Sequence, residues 1–166
     1  MNTARRLPTY ERALNMLEAR ARSVADMRRV LLRKGEPAAD VDAAIERLLG
    51  AGLLDDAAYA RQFTRSKAVA SGFSRRRVQQ ELAKRGVARG VADEAIAEVF
   101  AEEVVDEEAT IQRVARKKLR TLMRLGDTVR RRRLYAFLAR RGYDADDIAR
   151  VVRLLTSDAG AETEES

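Results

Sequence analysis

The stretch GFSRRRVQQELAKRG, residues 72–86, decides the fold of this chain. Val78 and Leu82 are four residues apart, as on one face of a helix, and Gly86 stands where such a helix would end. Ser74 is the residue type that favours a helix N-cap. The stretch therefore predicts a helix that begins after Ser74 and ends at a glycine turn.

The same pattern occurs in two other places, at the pairs Lys34-Gly35 and Arg141-Gly142, which match Arg85-Gly86. Apolar residues stand four and eight residues before each glycine, and ten and thirteen residues after it. They are Leu31, Leu82, Leu138, Met27, Val78, Leu134, Ile45, Ile96, Val152, Leu48, Val99 and Leu155. Because steps of three and four are helical, each copy is predicted to be a helix, a glycine turn and a second helix. Such self-similarity is typical of a repeat architecture.

A coarse reading of the whole chain predicts nine helices and no strand, and so an all-α fold. We expect three tandem three-helix repeats at residues 1–52, 53–104 and 105–156, forming an elongated, solenoid-like array. An acidic tail at residues 157–166 has little apolar surface to bury and is predicted to be disordered. Repeat proteins of this kind present an extended surface to a partner, so binding is a better first hypothesis than catalysis.

Helix boundaries follow from capping residues. Ser23 is expected to cap the second helix, with Asp26 completing a capping-box-like pair. The fourth helix is predicted to begin near Asp55 and to continue to Val69. The eighth helix is predicted to be capped by Asp127 or by the threonine that follows it.

Composition limits the function classes. The chain of 166 residues has no cysteine and no histidine, which removes disulfide frameworks, cysteine-rich metal sites and the usual nucleophile–base pairs of enzymes. We find no apolar run of membrane-spanning length and expect a cytoplasmic protein that is not an enzyme and has no cofactor. Asp55 and Asp56 are interpreted as helix-start acids rather than as an acid pair or a metal site.

Charge is unevenly distributed along the chain, whose formal net charge is +7. Residues 93–108 contain eight acids and no base, whereas residues 111–141 contain twelve bases and one acid. The tail adds four acids. This division favours a polyanionic partner facing the basic stretch.

Eleven cations are the candidate partner-binding or DNA-binding residues. They are Arg75, Arg76, Arg77, Arg116, Lys117, Lys118, Arg120, Arg130, Arg131, Arg132 and Arg133. The first three and the last four are predicted near helix starts, where cations oppose the helix dipole, so an external partner is one reason to retain them. The alternative is an ordinary solvated face, which is as good an interpretation for the run from Arg116 to Arg120.

Aromatic residues are interpreted as packing residues. Tyr10, Tyr59 and Phe63 recur at helical spacing and are expected in the core rather than on a stacking platform. Tyr143 follows the third glycine and is expected to pack against a neighbouring helix.

Three segments resemble the RecX family of bacterial proteins: Gly52–Ala60, Gly72–Gly86 and Phe137–Tyr143. The likeness extends from about Tyr10 to Leu155 and includes the order of the three units. It implies a curved, all-helical protein that binds in the groove of the RecA–DNA filament and inhibits the recombinase. One departure is Arg130, which stands in the third unit where the first two have serine.

Two other functions remain open. One is a DNA-binding protein that uses tandem helix–turn–helix-like units on single- or double-stranded DNA, and the other is a scaffold with structural partners alone. The resemblance favours the RecA filament as the partner. We expect a monomer that does not bind membranes, because the predicted helices leave no apolar face over.

Overall fold

The computed structural model describes the backbone of residues 8–161 and the side chains of residues 8–156. This part is all helical and contains no strand. The helices are α1 (Thr9–Ala19), α2 (Val24–Arg33), α3 (Ala38–Gly50), α4 (Asp56–Thr64), α5 (Arg75–Lys84), α6 (Arg89–Glu102), α7 (Glu107–Arg120), α8 (Asp127–Arg140) and α9 (Ala145–Ala161). We call α1–α3, α4–α6 and α7–α9 the first, second and third modules. The predicted all-α fold with three tandem three-helix modules is confirmed.

The helices form because their apolar residues recur on one face and are buried there. Each of the twelve apolar positions that keep step with the glycines has at most 8% of its surface exposed. Leu31, Leu82 and Leu138, the three leucines that precede the turns, are completely buried. The helical periodicity of the sequence therefore identified the core correctly.

The glycine turns have the backbone geometry that the sequence predicted. Gly35, Gly86 and Gly142 have φ values of 79°, 74° and 89°, in the left-handed region that side chains disfavour. In the first turn, Gly35 donates to the carbonyl of Leu32 and the next amide donates to that of Leu31, which is the Schellman pattern of a helix end. Each turn lets the chain reverse into the next helix.

Most of the predicted N-caps are present. Ser23 accepts from the amide of Asp26 at 3.1 Å, and Ser74 accepts from that of Arg77 at 3.2 Å. Asp26 itself pairs with the guanidinium of Arg22 at 2.8 Å, so its carboxylate serves an ion pair rather than the expected capping box. The cap predicted for α8 was wrong, because Gly126 occupies the N-cap position and Asp127 is the first helical residue.

The fourth helix ends about where it was predicted to end, but it changes type before its end. The α-helical part stops at Thr64, and a π-helical segment, Arg65–Ala70, continues it past Val69. Ala60, Thr64 and Ala68 are fully buried at equal steps of four residues. Residues at steps of four share one helix face, so this row is compatible with either helix type, and its small side chains gave no sign of the change to π-helical geometry.

The chain divides into two compact units, Met1–Phe63 with Glu81–Ala95 and Thr64–Gln80 with Ile96–Ser166. The core of the first contains Met27, Leu31 and Leu48, with Tyr10 half-buried against it. The core of the second contains Leu134, Leu138 and Ile148. The repeat boundaries at residues 52, 104 and 156 stay a prediction. The predicted tail overlaps the last turn of α9, and residues 162–166 lie outside the described part.

Within the first unit, a serine of the first module holds the glycine turn of the second. Ser23 is completely buried and donates to the carbonyl of Arg85, beside Gly86. A Cβ at Gly86 would lie 2.3 Å from the Cβ of Ala25, so the backbone approaches α2 more closely than any side chain would allow.

The second unit repeats this joint between the second and third modules. Ser74 is buried and donates to the carbonyl of Gly142 at 2.9 Å, while its amide donates to the carbonyl of Arg141 at the same distance. A Cβ at Gly142 would lie 2.5 Å from the Cβ of Arg77. Serine therefore serves both as a helix cap and as a contact to the next module.

Arg130 occupies the position of these serines in the third module. Its guanidinium pairs with Asp127 and contacts the sulfur of Met123 at 3.7 Å. The third module therefore has an arginine within its own helix start where the first two modules have a serine that contacts the next glycine turn.

Candidate partner-binding surface

All eleven candidate cations lie in the second unit, but they differ in what their side chains contact. Arg75 begins α5, where its amide donates to the carboxylate of Glu107 at 2.9 Å. Its guanidinium stands 4.1 Å from the centre of the Phe100 ring. These intramolecular contacts offset the unfavourable position of a cation at a helix start.

Arg76 and Arg77 also have partners within the unit. The Arg76 guanidinium donates twice to the carbonyl of Gly142, at 3.0 and 3.2 Å, and lies 3.6 Å from the carboxylate of Asp144. Arg77 is half-buried against the Gly142 turn, with its guanidinium 5.9 Å from the Phe73 ring. The first cluster therefore helps to hold the joint of the second and third modules, whatever else it binds.

The four candidate cations on α7 differ in whether they have partners within the fold. Arg116 donates to Gln112 at 3.3 Å, and Lys118 lies 5.5 Å from the Phe137 ring. Lys117 and Arg120 are exposed, and neither makes a hydrogen bond, ion pair or ring contact with any residue of the described part. Only the latter two are fully available to a partner.

The four arginines Arg130–Arg133 on α8 also differ in whether they have partners within the fold. Arg130 is half-buried by its contacts with Asp127 and Met123. Arg131, Arg132 and Arg133 are exposed and have no ion pair or hydrogen bond among residues 8–156. Because α8 begins at Asp127, these three arginines stand beyond the first turn, where the cost from the helix dipole is smaller than the sequence suggested.

The sequence reading missed Tyr135. Its side chain is 41% exposed on α8, three residues after Arg132 and four after Arg131. Residues at these spacings are neighbours on a helix surface, so an exposed ring adjoins two uncommitted guanidinium groups. The run of arginines followed by tyrosine at this spacing was the signal that could have identified it.

Burial perturbs the neighbouring turn residues without making them reactive. Burial raises the pKa of Tyr143 to about 12, and its hydroxyl donates to the carbonyl of Gly72 at 3.0 Å. Burial lowers the pKa of Arg141, whose guanidinium lies 3.8 Å from the Phe137 ring. Tyr143 packs inside the second unit, as expected, and belongs to its core.

Asp55 and Asp56 are helix-start residues, as interpreted from the sequence. One carboxylate oxygen of Asp55 accepts from the amides of Ala57 and Ala58, at 2.8 and 3.0 Å. Asp56 accepts from the amide of Val24 at 2.8 Å. Residues 8–156 contain no group of three or more acidic side chains that could hold a metal ion.

Tyr59 and Phe63 are half-buried rather than fully buried, with ring centres 6.1 Å apart. The Arg85 guanidinium covers the other ring at 4.5 Å from the centre of Phe63. These rings are therefore partly packed by neighbours within the first unit, as the packing interpretation expected, but they are not fully buried core residues. Among the described helices, none is both long and apolar enough to cross a membrane.

Comparison with known protein families places every module. Models for the first, second and third three-helix domains of RecX match residues 10–48, 55–96 and 106–152, in that order. This chain belongs to the RecX family. The matched segments contain the glycine turns and the serine joints described above.

Relatives named Regulatory protein RecX are similar over most of their length. The protein of Pelodictyon phaeoclathratiforme is 34% identical over 143 residues, covering 86% of this chain and 86% of that one. The protein of Amycolatopsis mediterranei is 33% identical over 153 residues, covering 92% of this chain and 86% of its own. Both relatives are named as regulatory proteins.

Two solved structures share the fold. The crystal structure of RecX from Lactobacillus salivarius superimposes with a TM-score of 0.64 at 18% identity, covering 89% of this chain and 94% of that one. A second crystal structure of a regulatory protein RecX gives a TM-score of 0.67 at 22% identity, covering 86% of this chain and 70% of its own. At these low identities, the two structures show that the fold is shared and nothing more.

Proposed function

We propose that this protein regulates the RecA recombinase by binding in the groove of RecA–single-stranded-DNA filaments, without catalysing a reaction. Its effect would be to lower the ATPase, strand-exchange and co-protease activities of the filament. Membership of the RecX family supports the regulatory role. The observation that carries the binding mode is the set of exposed cations on α7 and α8 that have no partner among the described residues.

Five of the eleven candidate cations form this available set: Lys117, Arg120, Arg131, Arg132 and Arg133. A guanidinium binds a carboxylate or a phosphate through paired hydrogen bonds, so the set suits either an acidic face of the recombinase or the DNA backbone. Cations already paired within the fold would have to break those contacts first. We therefore assign the partner contact to the available set before the cluster at Arg75.

The test is the DNA-dependent ATPase of RecA with substoichiometric added protein. We expect a progressive fall in the rate, because a protein seated in the groove obstructs the changes that accompany ATP hydrolysis. The variant R131Q/R132Q/R133Q should lose most of this effect. The control is R33Q/K34Q/R89Q, which removes the same charge from exposed positions of the first unit.

Two results would count against this function. An unchanged ATPase rate together with no co-sedimentation with filaments would refute it. Equal loss of effect in the two triple variants would show that net charge, rather than the α8 surface, determines binding.

Direct binding to DNA is the second candidate function, since the exposed arginines suit phosphate as well as carboxylate. Affinity for bare DNA should then fall steeply with salt, at a slope of about −0.9 per phosphate contact on a duplex. Comparing bare with RecA-coated DNA at about 150 mM salt separates the two candidates, since exposed charges are strongly screened there.

A further inference from the structure

Among residues 8–156, Tyr135 is the one aromatic side chain that makes neither a hydrogen bond nor a ring contact. All eight aromatic residues lie within the described part. The rings of Tyr10, Phe63, Phe73, Phe100 and Phe137 are covered by lysine or arginine side chains. Tyr59 stacks on Phe63, and Tyr143 is buried and hydrogen-bonded. Tyr135 has neither a ring contact nor a hydrogen bond within residues 8–156, and 41% of its surface is exposed.

The Tyr135 ring lines an open groove between α8 and α9, both of which belong to the second unit. The groove has a volume of about 570 Å³, within the roughly 300–1,000 Å³ typical of ligand sites. Arg131 and Arg132 line it beside the ring, and Arg153 lines it from α9. Val152 forms part of its apolar floor and is 8% exposed.

All the charged side chains that line this groove are positive. Its lining contains three guanidinium groups and no carboxylate. Arg131 and Arg132 make no ion pair with any described residue, so their charge is not neutralised locally. A groove that combines uncompensated cations with an exposed ring suits a ligand that carries both an anionic backbone and flat apolar faces.

We infer that the groove between α8 and α9 binds single-stranded DNA. A base stacks on the ring of Tyr135, and the phosphates on either side of it lie against Arg131, Arg132 and Arg153. Stacking of this kind needs an unpaired base, because the faces of bases in a duplex are already covered by their neighbours. Carboxylates of an acidic protein surface would pair with the arginines, but they would not stack on the Tyr135 ring.

This inference deepens the proposed function and rests on it, because it names the component of the filament that the protein touches. Its test nevertheless uses bare DNA and no recombinase. The two proposals can therefore fail separately. If the wild-type chain fails to bind single-stranded DNA but inhibits the ATPase normally, the groove assignment alone is overturned. If it binds single-stranded DNA but leaves the ATPase unchanged, only the regulatory role is overturned.

The experiment measures binding of a fluorescent oligothymidylate to the full chain by anisotropy at low salt. Alanine substitution of a stacking aromatic weakens binding by roughly fivefold to 150-fold per base, and we expect a loss in this range for Tyr135→Ala. Tyr135→Phe should bind nearly as the wild type, because the ring is kept. Tyr135→Leu should bind as weakly as the alanine variant, since an apolar side chain without a ring cannot stack.

Two further measurements decide the outcome. Removing one groove cation in Arg131→Gln should reduce the salt slope by about 0.7, the value for one phosphate contact on a single strand, whereas Arg89→Gln in the first unit should not. The chain has no tryptophan, so Tyr135→Trp introduces a single reporter whose fluorescence should be quenched by the oligonucleotide.

Wild-type affinity in Tyr135→Ala, with a folded circular dichroism spectrum, would overturn the inference. So would equal binding by the leucine and phenylalanine variants, which would indicate a general apolar contact. Tighter binding of duplex than of single strands would also overturn it. A loss of filament binding in Tyr135→Ala without a loss of binding to bare DNA would assign the groove to a protein surface instead.

Discussion

Replacing Gly86 with alanine tests whether the glycine turns hold the modules together. At this position the new Cβ would lie 2.3 Å from the Cβ of Ala25, and the backbone φ is 74°. The left-handed conformation costs a side chain about 1–2 kcal/mol, and relieving such an overlap costs about 1–3 kcal/mol more. We therefore expect Gly86→Ala to reduce the free energy of unfolding by about 2–5 kcal/mol.

Gly35 is a matched control in the same kind of turn. Its φ is 79°, but a Cβ built there would meet nothing within 4 Å. Gly35→Ala should therefore pay only the conformational cost of about 1–2 kcal/mol. Unfolding in urea, followed by circular dichroism, measures both losses, and the difference between them isolates the contact with α2.

The double variant Ala25→Gly/Gly86→Ala removes the methyl group that the new Cβ would strike. Ala25→Gly alone should cost up to about 1 kcal/mol, as glycine does within a helix. The loss of unfolding free energy in the double variant should be smaller than the sum of the losses in the two single variants, by at least about 1 kcal/mol. Equal losses at Gly86 and Gly35, together with strict additivity in the double variant, would refute the close approach of the turn to α2.

Three further outcomes follow from individual residues. Because burial raises the pKa of Tyr143 to about 12, the unfolded chain loses the phenol proton first as pH rises above 10, so the free energy of unfolding should fall by up to about 2 kcal/mol between pH 10 and 12. Tyr143→Phe should remove most of that slope in urea titrations at several pH values. Ser74→Ala loses a helix cap and the buried bond to Gly142, so it should cost about 1–3 kcal/mol in thermal unfolding. The half-buried Ser71, whose hydroxyl makes one exposed hydrogen bond to the carbonyl of Ser66, should lose less, about 1 kcal/mol at most, in Ser71→Ala. Changing the glutamates of residues 162–165 to glutamine raises the net charge from +7 and should tighten binding to oligothymidylate at low salt, an effect that disappears at about 1 M salt.

The helices and turns were predictable because they depend on local interactions. Residues three and four apart share a helix face, so the leucines before each turn identified the buried side without any knowledge of the tertiary fold. A glycine after such a stripe indicates a left-handed turn, and Gly35, Gly86 and Gly142 all adopt one. The extent of the fourth helix to about Val69 was predicted in the same way, but the π-helical geometry of Arg65–Ala70 was not.

The candidate site was predictable only as a set of charges. The sequence offered Arg75–Arg77 and Arg130–Arg133 as equivalent clusters at helix starts. In the structure, Arg75 and Arg76 contact Glu107 and Gly142, whereas Arg131–Arg133 make no hydrogen bond or ion pair with a described residue. These partners are distant in the chain, so no local pattern could separate the two clusters.

The sequence alone determined that this protein is an array of three-helix modules and a member of the RecX family, because repeat period, helix face and turn chemistry are local properties written in residue order. The tertiary structure decided which candidate cations have partners within residues 8–156, and that Tyr135 is exposed beside two that have none. Those facts depend on which surfaces meet when the chain folds. Which surfaces meet is determined by packing between residues that are far apart in sequence, and a hydrophobicity pattern carries no information about such pairs.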